Sequence, residues 1–216
     1  PGHWGPAPAA ETVIMKALTA DGPRVAALFA GDVDLIESPP LQDLERIKAN
    51  KNLKVAQGIS NRVIYIHMAS GMPTAPSVTG TNGKNPVADV RVREALSIAI
   101  NRDAIVSRIM GGVAIAAGEL LPPGMFGAHA AGQMKPPSFN VDRAKKLLAD
   151  AGYPNGFGIT LGTPNDRYIN DAQVAQAVAQ MWARIGVKVE VDAMTSATFF
   201  SRRNKQEFAV FLAGWG

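Results

Sequence analysis

The stretch GFGITLGTPNDRYINDAQVAQAVAQMWARIGVKVEVDA, residues 156–193, carries two different periodicities in one run. GFGITLGTP (156–164) is short, apolar and bounded by glycine and proline, which reads as a strand. INDAQVAQAVAQMWARIG (169–186) repeats its apolar residues at helical spacing and predicts a long helix. VKVEVDA (187–193) alternates apolar and polar residues and predicts a strand with one buried face. A polar loop, TPNDRYIN (163–170), joins the first strand to the helix.

The same alternation extends outward in both directions. GPRVAALFAG (22–31) predicts a helix ended by glycine, and DVDLIE (32–37) a short strand. PLQDLERIKAN (40–50) predicts a helix, and NLKVAQG (52–58) and RVIYIHMAS (62–70) two strands, the second apolar enough for burial on both faces. SGMPTAPSVTGTNGKNP (70–86) is a loop. In DVRVREALSIAINRDAIVSRIMGG (89–112), Val92, Ala95, Leu96, Ala99 and Ile100 form one apolar face, with Arg91, Arg93 and Glu94 outside it. Asn101 or Asp103 caps a second helix, which Gly111–Gly112 ends. GELLPPGMFG (118–127) is irregular, and NVDRAKKLLADAGY (140–153) predicts a helix opened by Asn140 and closed at Gly152. SATFFSRRNKQ (196–206) predicts a short helix and FAVFLAGWG (208–216) a strand. Strands alternating with helices predict an α/β protein with a largely parallel or mixed sheet.

The chain has 216 residues, 47% hydrophobic and 19% charged, which suits a soluble globular protein with a sizeable core. Its net charge is +4, but the basic residues are spread out. The densest patch, SRRNK (201–205), lacks interleaved aromatics and reads as a solvated helix end rather than a nucleic-acid stripe. With no cysteine, disulfides, thiolate catalysis and thiolate-held metals are excluded. No apolar run approaches the ~20 residues of a membrane span. PGHWGPAPAAETV (1–13) does not resemble a signal peptide.

Catalytic signals are weak. His3, His67 and His129 are far apart and none sits in an HExxH context, so no metal site is expected. His67 reads as a hydrogen-bonded interior residue. No G-x-S-x-G elbow is present. TGTNGKNP (79–86) lacks the GK[ST] ending of a phosphate loop. Asp32 and Asp34 alternate along one predicted strand with no sign of a cleft. No cofactor is indicated. Two readings stay open at each of two positions. Trp215, at a strand end, is either a core aromatic or a ligand-facing ring in the crevice beyond the strands. Arg167 is either a surface cation or a bidentate carboxylate clamp.

Several long segments carry a resemblance. PVADVRVREALSIAINRDAIVSRIMGG (86–112) resembles the pattern P-x-x-D-x-R-V-R-x-A-L-x-x-A-I-(D/N)-R of the solute-binding proteins of peptide- and nickel-type ABC importers. FNVDRAKKLLADAGYPNGFGITL (139–161), VAQMWARIGVKVEV (178–191) and FAVFLAGWG (208–216) are similar to the blocks that follow it in that family, in the same order. Upstream, PGHWG (1–5), RVAALFAGDVDLIESPP (24–40) and NLKV (52–55) resemble the segment that finishes the family's first lobe.

The resemblance implies a periplasmic-binding-protein type II-like lobe with a mixed sheet flanked by helices. It implies that residues 1–58 end the first lobe, 59–213 form the second ligand-binding lobe, and 214–216 start the return hinge. The chain is then expected to be a fragment, with a signal peptide in the absent N-terminal part and a periplasmic location. Family members are not enzymes: they enclose a di- or oligopeptide between lobes and deliver it to ABC permease transmembrane subunits. A non-peptide cargo (oligosaccharide, opine-like conjugate or nickel chelate) is the alternative within the family. A hydrolase would need a nucleophile–base pair, which is not found, and a nucleic-acid binder rests on the basic pI near 9.5 alone. By resemblance Trp215 lines the cleft near the hinge, and Arg167, with Tyr168 beside it, falls near an arginine that some members use on the ligand's carboxylate. Full-length members continue past the Gly-Trp with an acidic residue that meets the ligand's amine. The histidine and arginines that hold nickel chelates have no counterparts. Residues 1–58, which belong to the lobe that is mostly absent, are expected either to be poorly anchored or to pair with another copy, and exposed apolar surface there would favour a dimer.

Overall fold

The structure, a computed structural model, describes residues 4–6, 9–130 and 133–216; His3 lies outside them. The chain divides into two compact units, Pro1–Ala56 and Gln57–Gly216.

In the first unit, helix α1 (Asp21–Ala30) ends on Gly31, whose φ of 79° is the left-handed conformation that only glycine adopts cheaply. Arg24 holds the flanking chain to the helix: its guanidinium donates to the carbonyls of Leu18, Thr19 and Ser38 and pairs with Asp21. A 3-10 turn (Leu41–Asp43) runs into α2 (Leu44–Ala49), where Arg46 lies 4.2 Å over the Phe29 ring. Val25 and Ile47 are the buried apolar side chains, while Val13, Ile14, Met15 and Leu35 are exposed. Neither 32–37 nor 52–58 forms the predicted strand. A strand needs a neighbouring backbone to pair with, and no ladder partner reaches either segment among the described residues.

The second unit is built on a five-stranded mixed sheet of β1 (Val63–Met68), β2 (Val78–Thr79), β3 (Gly158–Pro164), β4 (Lys188–Met194) and β5 (Val210–Trp215). β4 lies parallel along one edge of β3. The other edge is shared by β2, antiparallel at residues 158–159, and β5, parallel at 161–162. β1 runs antiparallel to β5, from Val63 opposite Trp215 to Met68 opposite Val210. The expectation that β1 is buried on both faces is corrected: it pairs on one side only, and Ile64 and His67 are exposed.

The signature motif has a physical reading. Asn85 accepts from the Val87 amide and donates to the carbonyls of Ala69 and Met72, pinning the loop that ends in Pro86. The TGTNGKNP loop is thus a structural anchor. Asp89 caps α3 (Val90–Ile98) through the Arg91 amide, and Arg91 pairs back with Asp89 while donating to the Asp150 carbonyl at the end of α5 (Val141–Asp150). Arg93 donates to the carbonyls of Val87 and Ala88. Glu94 forms an ion pair with Arg143 on α5. The polar positions of the motif therefore cap and clamp, while its apolar positions fill the core: Val92, Ala95, Leu96, Ala99 and Ile100 are all buried.

Asn101, rather than Asp103, caps the next helical turn, α4 (Arg102–Ala104), by accepting from the Ala104 amide. The helix then widens into a π turn (Ile105–Ile109), and Gly111 and Gly112 end it with positive φ. Asn140 caps α5 as predicted. Helix α6 (Asp171–Ala183) crosses from β3 to β4 and buries Ala175, Val178 and Trp182 against Leu161, Val210 and Leu212. The indole N–H of Trp182 donates to the Leu96 carbonyl at 2.9 Å, satisfying one of the carbonyls left open in the last turn of α3.

Helix α7 (Ser196–Asn204) covers the opposite sheet face, with Phe199 packed against Phe208 and Phe211. SRRNK is its C-terminal turn: Arg202 bridges Asp192 and Glu207, and Arg203 stacks on Phe200.

Candidate functional site

The C-terminal ends of β3, β4 and β5 lie at one rim of the sheet, and the start of β1 joins them there because β1 is antiparallel to β5. In open α/β sheets the crevice beyond the strand ends is the usual ligand position. The rim carries the β3–α6 loop, residues 165–170, and that loop carries Arg167 and Tyr168.

Two carboxylates shape the loop. Asp171, 3% exposed at the start of α6, accepts from the amides of Arg167 and Tyr168 at 3.0 Å each, and from the Ala172 amide at 2.9 Å. Asp166 accepts from the Ser196 amide at the start of α7 at 2.7 Å. A carboxylate facing amides at a helix start satisfies donors that the helix leaves unpaired and complements its dipole. Asn170, in the left-handed conformation, donates to the Ile109 carbonyl and ties the loop to the π turn.

The ring of Tyr168 is half-buried and lies against Gly214. A β-carbon on Gly214 would sit 2.7 Å from Tyr168 Cε1 and 2.7 Å from Ile64 Cδ1, so the ring's seat depends on that glycine. Two guanidinium groups approach the same ring: Arg167 at 5.7 Å from its centroid and Arg62 at 5.8 Å. Both distances lie within cation–π range. Sequence reasoning missed Arg62. Its only local signal is a basic residue directly before an apolar strand, which is common on any surface.

Trp215 does not join this cluster. Side chains alternate across a strand, so Ile64 and Gly214 face Tyr168 while Val63 and Trp215 face the other side of the ribbon, the side covered by α7. Trp215 is 69% exposed and is not packed into the core of this unit. Arg167 is likewise exposed.

The histidines lie elsewhere. His67 is not the hydrogen-bonded interior residue expected from its strand. It is exposed on β1, its ring makes no hydrogen bond among the described residues, and it stacks on Phe211 at 4.5 Å. Burial of part of the ring, and then the Arg203 cation, hold its pKa below the ordinary 6.5. His129 pairs with Glu119 through Nδ1 at 2.8 Å and pins the 118–129 loop. Among the described residues, no group of three or more His, Asp or Glu side chains is placed to hold a metal ion, and no helix is long and apolar enough to cross a membrane. A depression lined by Thr79, Phe157, Lys188 and Glu190 lies at the N-terminal ends of β3 and β4, away from the rim.

Comparison with known proteins agrees with this architecture. The dipeptide-binding protein of Escherichia coli K12 is 26% identical over 217 residues, which cover 99% of this chain and 38% of that protein. The glutathione-binding protein GsiB of the same strain is 30% identical over 220 residues, covering 99% and 40%. The chain thus spans about two fifths of the length of these relatives. Among solved structures, the periplasmic binding protein DppA of Helicobacter pylori, in complex with the peptide STSA, superposes with a TM-score of 0.72 at 26% identity, over 98% of this chain and 38% of that one. AgaA from A. tumefaciens R10, in complex with agropinic acid, gives 0.67 at 27% identity, over 91% and 37%. The second unit therefore has the mixed-sheet, helix-flanked fold of type II periplasmic binding proteins. The family model described as "Bacterial extracellular solute-binding proteins, family 5 Middle" matches residues 1–216, and the chain belongs to that family.

Proposed function

We propose that this chain is the central part of the substrate-binding component of an ABC importer, which captures di- or oligopeptides between two lobes and delivers them to a membrane permease. In this reading residues 1–58 finish the first lobe, 59–213 form the second, and 214–216 begin the return hinge. The protein works in the periplasm, has no enzymatic activity, and meets its ligand through Arg167, Tyr168 and Trp215, with Arg62 added. The convergence of Arg62, Arg167 and Tyr168 at the rim carries the reading. A peptide's terminal carboxylate loses several kcal/mol of hydration when enclosed unless it is paired. An arginine beside an aromatic platform supplies that pairing with two parallel N–H donors. Trp215 serves from the far side of the ribbon, as an apolar wall near the hinge. Closure follows from population shift, because only the closed state contacts the ligand from both lobes.

The ligands of the relatives support a peptide: a dipeptide, glutathione and STSA. AgaA, solved with agropinic acid at 27% identity, favours the second reading, the same transport role with a non-peptide conjugate. Native mass spectrometry of the gently purified full-length protein separates them. A spread of short-peptide masses supports the first reading, and a single conjugate, sugar or chelate mass replaces it with the second. The isolated 216-residue chain is expected to bind peptides poorly, because a half-cleft cannot enclose the ~70–90% of ligand surface typical of good sites. Micromolar binding by the chain alone would contradict this.

A further inference from the structure

We infer that the rim is a two-cation site, selective for peptides or peptide-like conjugates that carry a second carboxylate besides the terminal one. The inference rests on the peptide reading above and deepens it, since a single terminal carboxylate is satisfied by one bidentate arginine.

Arg62 and Arg167 approach one ring, so their guanidinium carbons are no further apart than the sum of their distances to its centroid. Among the described residues neither has a carboxylate partner, a state they share with other arginines of the chain; what sets them apart is that both approach one ring at the strand-end rim. The acidic groups of the adjoining loop are already used. Asp166 holds the Ser196 amide, and Asp171 holds the amides of Arg167, Tyr168 and Ala172. An amide hydrogen bond leaves a carboxylate's charge in place, so the rim is mixed in charge; what it offers a ligand is two guanidinium groups beside one ring, neither of them in an ion pair. A ligand bringing two carboxylates gives each guanidinium its own two-pronged partner, whereas one bringing a single carboxylate leaves one guanidinium unpaired. Contact with Tyr168 orients each planar guanidinium and leaves N–H groups free for a carboxylate.

The two arginines come from different ends of the unit's chain. Arg62 is held at the rim because β1 pairs with β5, and Gly216 packs against it: a β-carbon there would lie 2.8 Å from Arg62 Cα. Arg167 is held by Asp171. Their convergence is a property of the fold and not of one flexible loop.

The test is isothermal titration calorimetry on the full-length protein, freed of co-purified ligand, with the matched pairs Ala-Glu and Ala-Gln, and Glu-Ala and Gln-Ala. The proteins compared are wild type, Arg62→Gln and Arg62→Lys. At least one acidic peptide is expected to bind about tenfold tighter than its amide twin. Arg62→Gln is expected to shrink that ratio to near one, and Arg62→Lys to keep part of it. Equal binding of acid and amide twins, or a ratio that survives Arg62→Gln, overturns the two-cation inference and leaves the peptide reading standing. No measurable binding of any of the four peptides overturns the two-cation inference and, with it, the dipeptide form of the peptide reading.

Discussion

Asp171→Ala is the perturbation that most directly links the fold to the candidate site. The carboxylate is 3% exposed and accepts three backbone amides, two of them from Arg167 and Tyr168. Hydrogen bonds to a charged acceptor contribute about 1.5–3 kcal/mol each. The three do not sum, because the loop amides are only partly buried and water replaces the carboxylate at them. A net loss of about 2–4 kcal/mol is expected, and about 1–2 kcal/mol for Asp171→Asn, which keeps an acceptor but loses the charge. With a urea slope of about 2 kcal/mol per molar, the alanine variant's midpoint falls by ~1–2 M. Equilibrium urea unfolding of the 216-residue chain reads this directly. In the full-length protein the same variant frees the loop that carries Arg167 and Tyr168, so ligand affinity drops even where the protein is fully folded. A midpoint within about 0.25 M of wild type, with unchanged affinity, would refute the view that Asp171 organises the rim.

Three further outcomes are expected. Trp182→Phe removes the buried indole donor to the Leu96 carbonyl and part of the core's largest side chain, and lowers stability by about 2–3 kcal/mol in the same unfolding assay; a loss under ~0.5 kcal/mol would show that the carbonyl finds another donor. Gly214→Ala pushes a methyl group into Ile64 and the Tyr168 ring, costing about 1–3 kcal/mol and weakening ligand binding to the full-length protein; unchanged calorimetry would mean the ring has another seat. For His67, the folded pKa lies below the ordinary 6.5, so the unfolded chain takes up the proton first as the pH falls. The stability present above pH 6.5 is then lost as the pH drops through 6.5 toward the folded value. His67→Gln should flatten the change in urea midpoint between pH 7.5 and pH 5.5, and an unaltered slope would assign the pH dependence to other groups.

Much of the second unit was legible because its signals are local. The Asn140 and Asp89 caps, the glycine stop at Gly111–Gly112, and the period change from 156–164 to 169–186 each depend on residues within one or two turns. The strands predicted at 32–37 and 52–58 failed for a different reason. Their sequences favour extended backbone, but a ladder requires a second chain segment, and composition does not supply one. His67 was misread because an apolar strand does not announce whether both of its edges are covered; β1 has one neighbour, so its outer residues meet solvent.

The candidate site divides along the same line. Arg167 and Tyr168 could be singled out from a polar loop between a strand and a long helix, since that position is a feature of chain order. The sequence by itself determined the α/β class, the caps, the apolar faces and, through long ordered motifs, the family. Only the tertiary structure decided that β1 pairs with β5, which brings Arg62 to the Tyr168 ring and turns Trp215 to the opposite face. Helix and cap signals arise from neighbours along the chain, whereas strand pairing joins segments that are distant in sequence. Which face a residue takes then hangs on a register that one step would reverse.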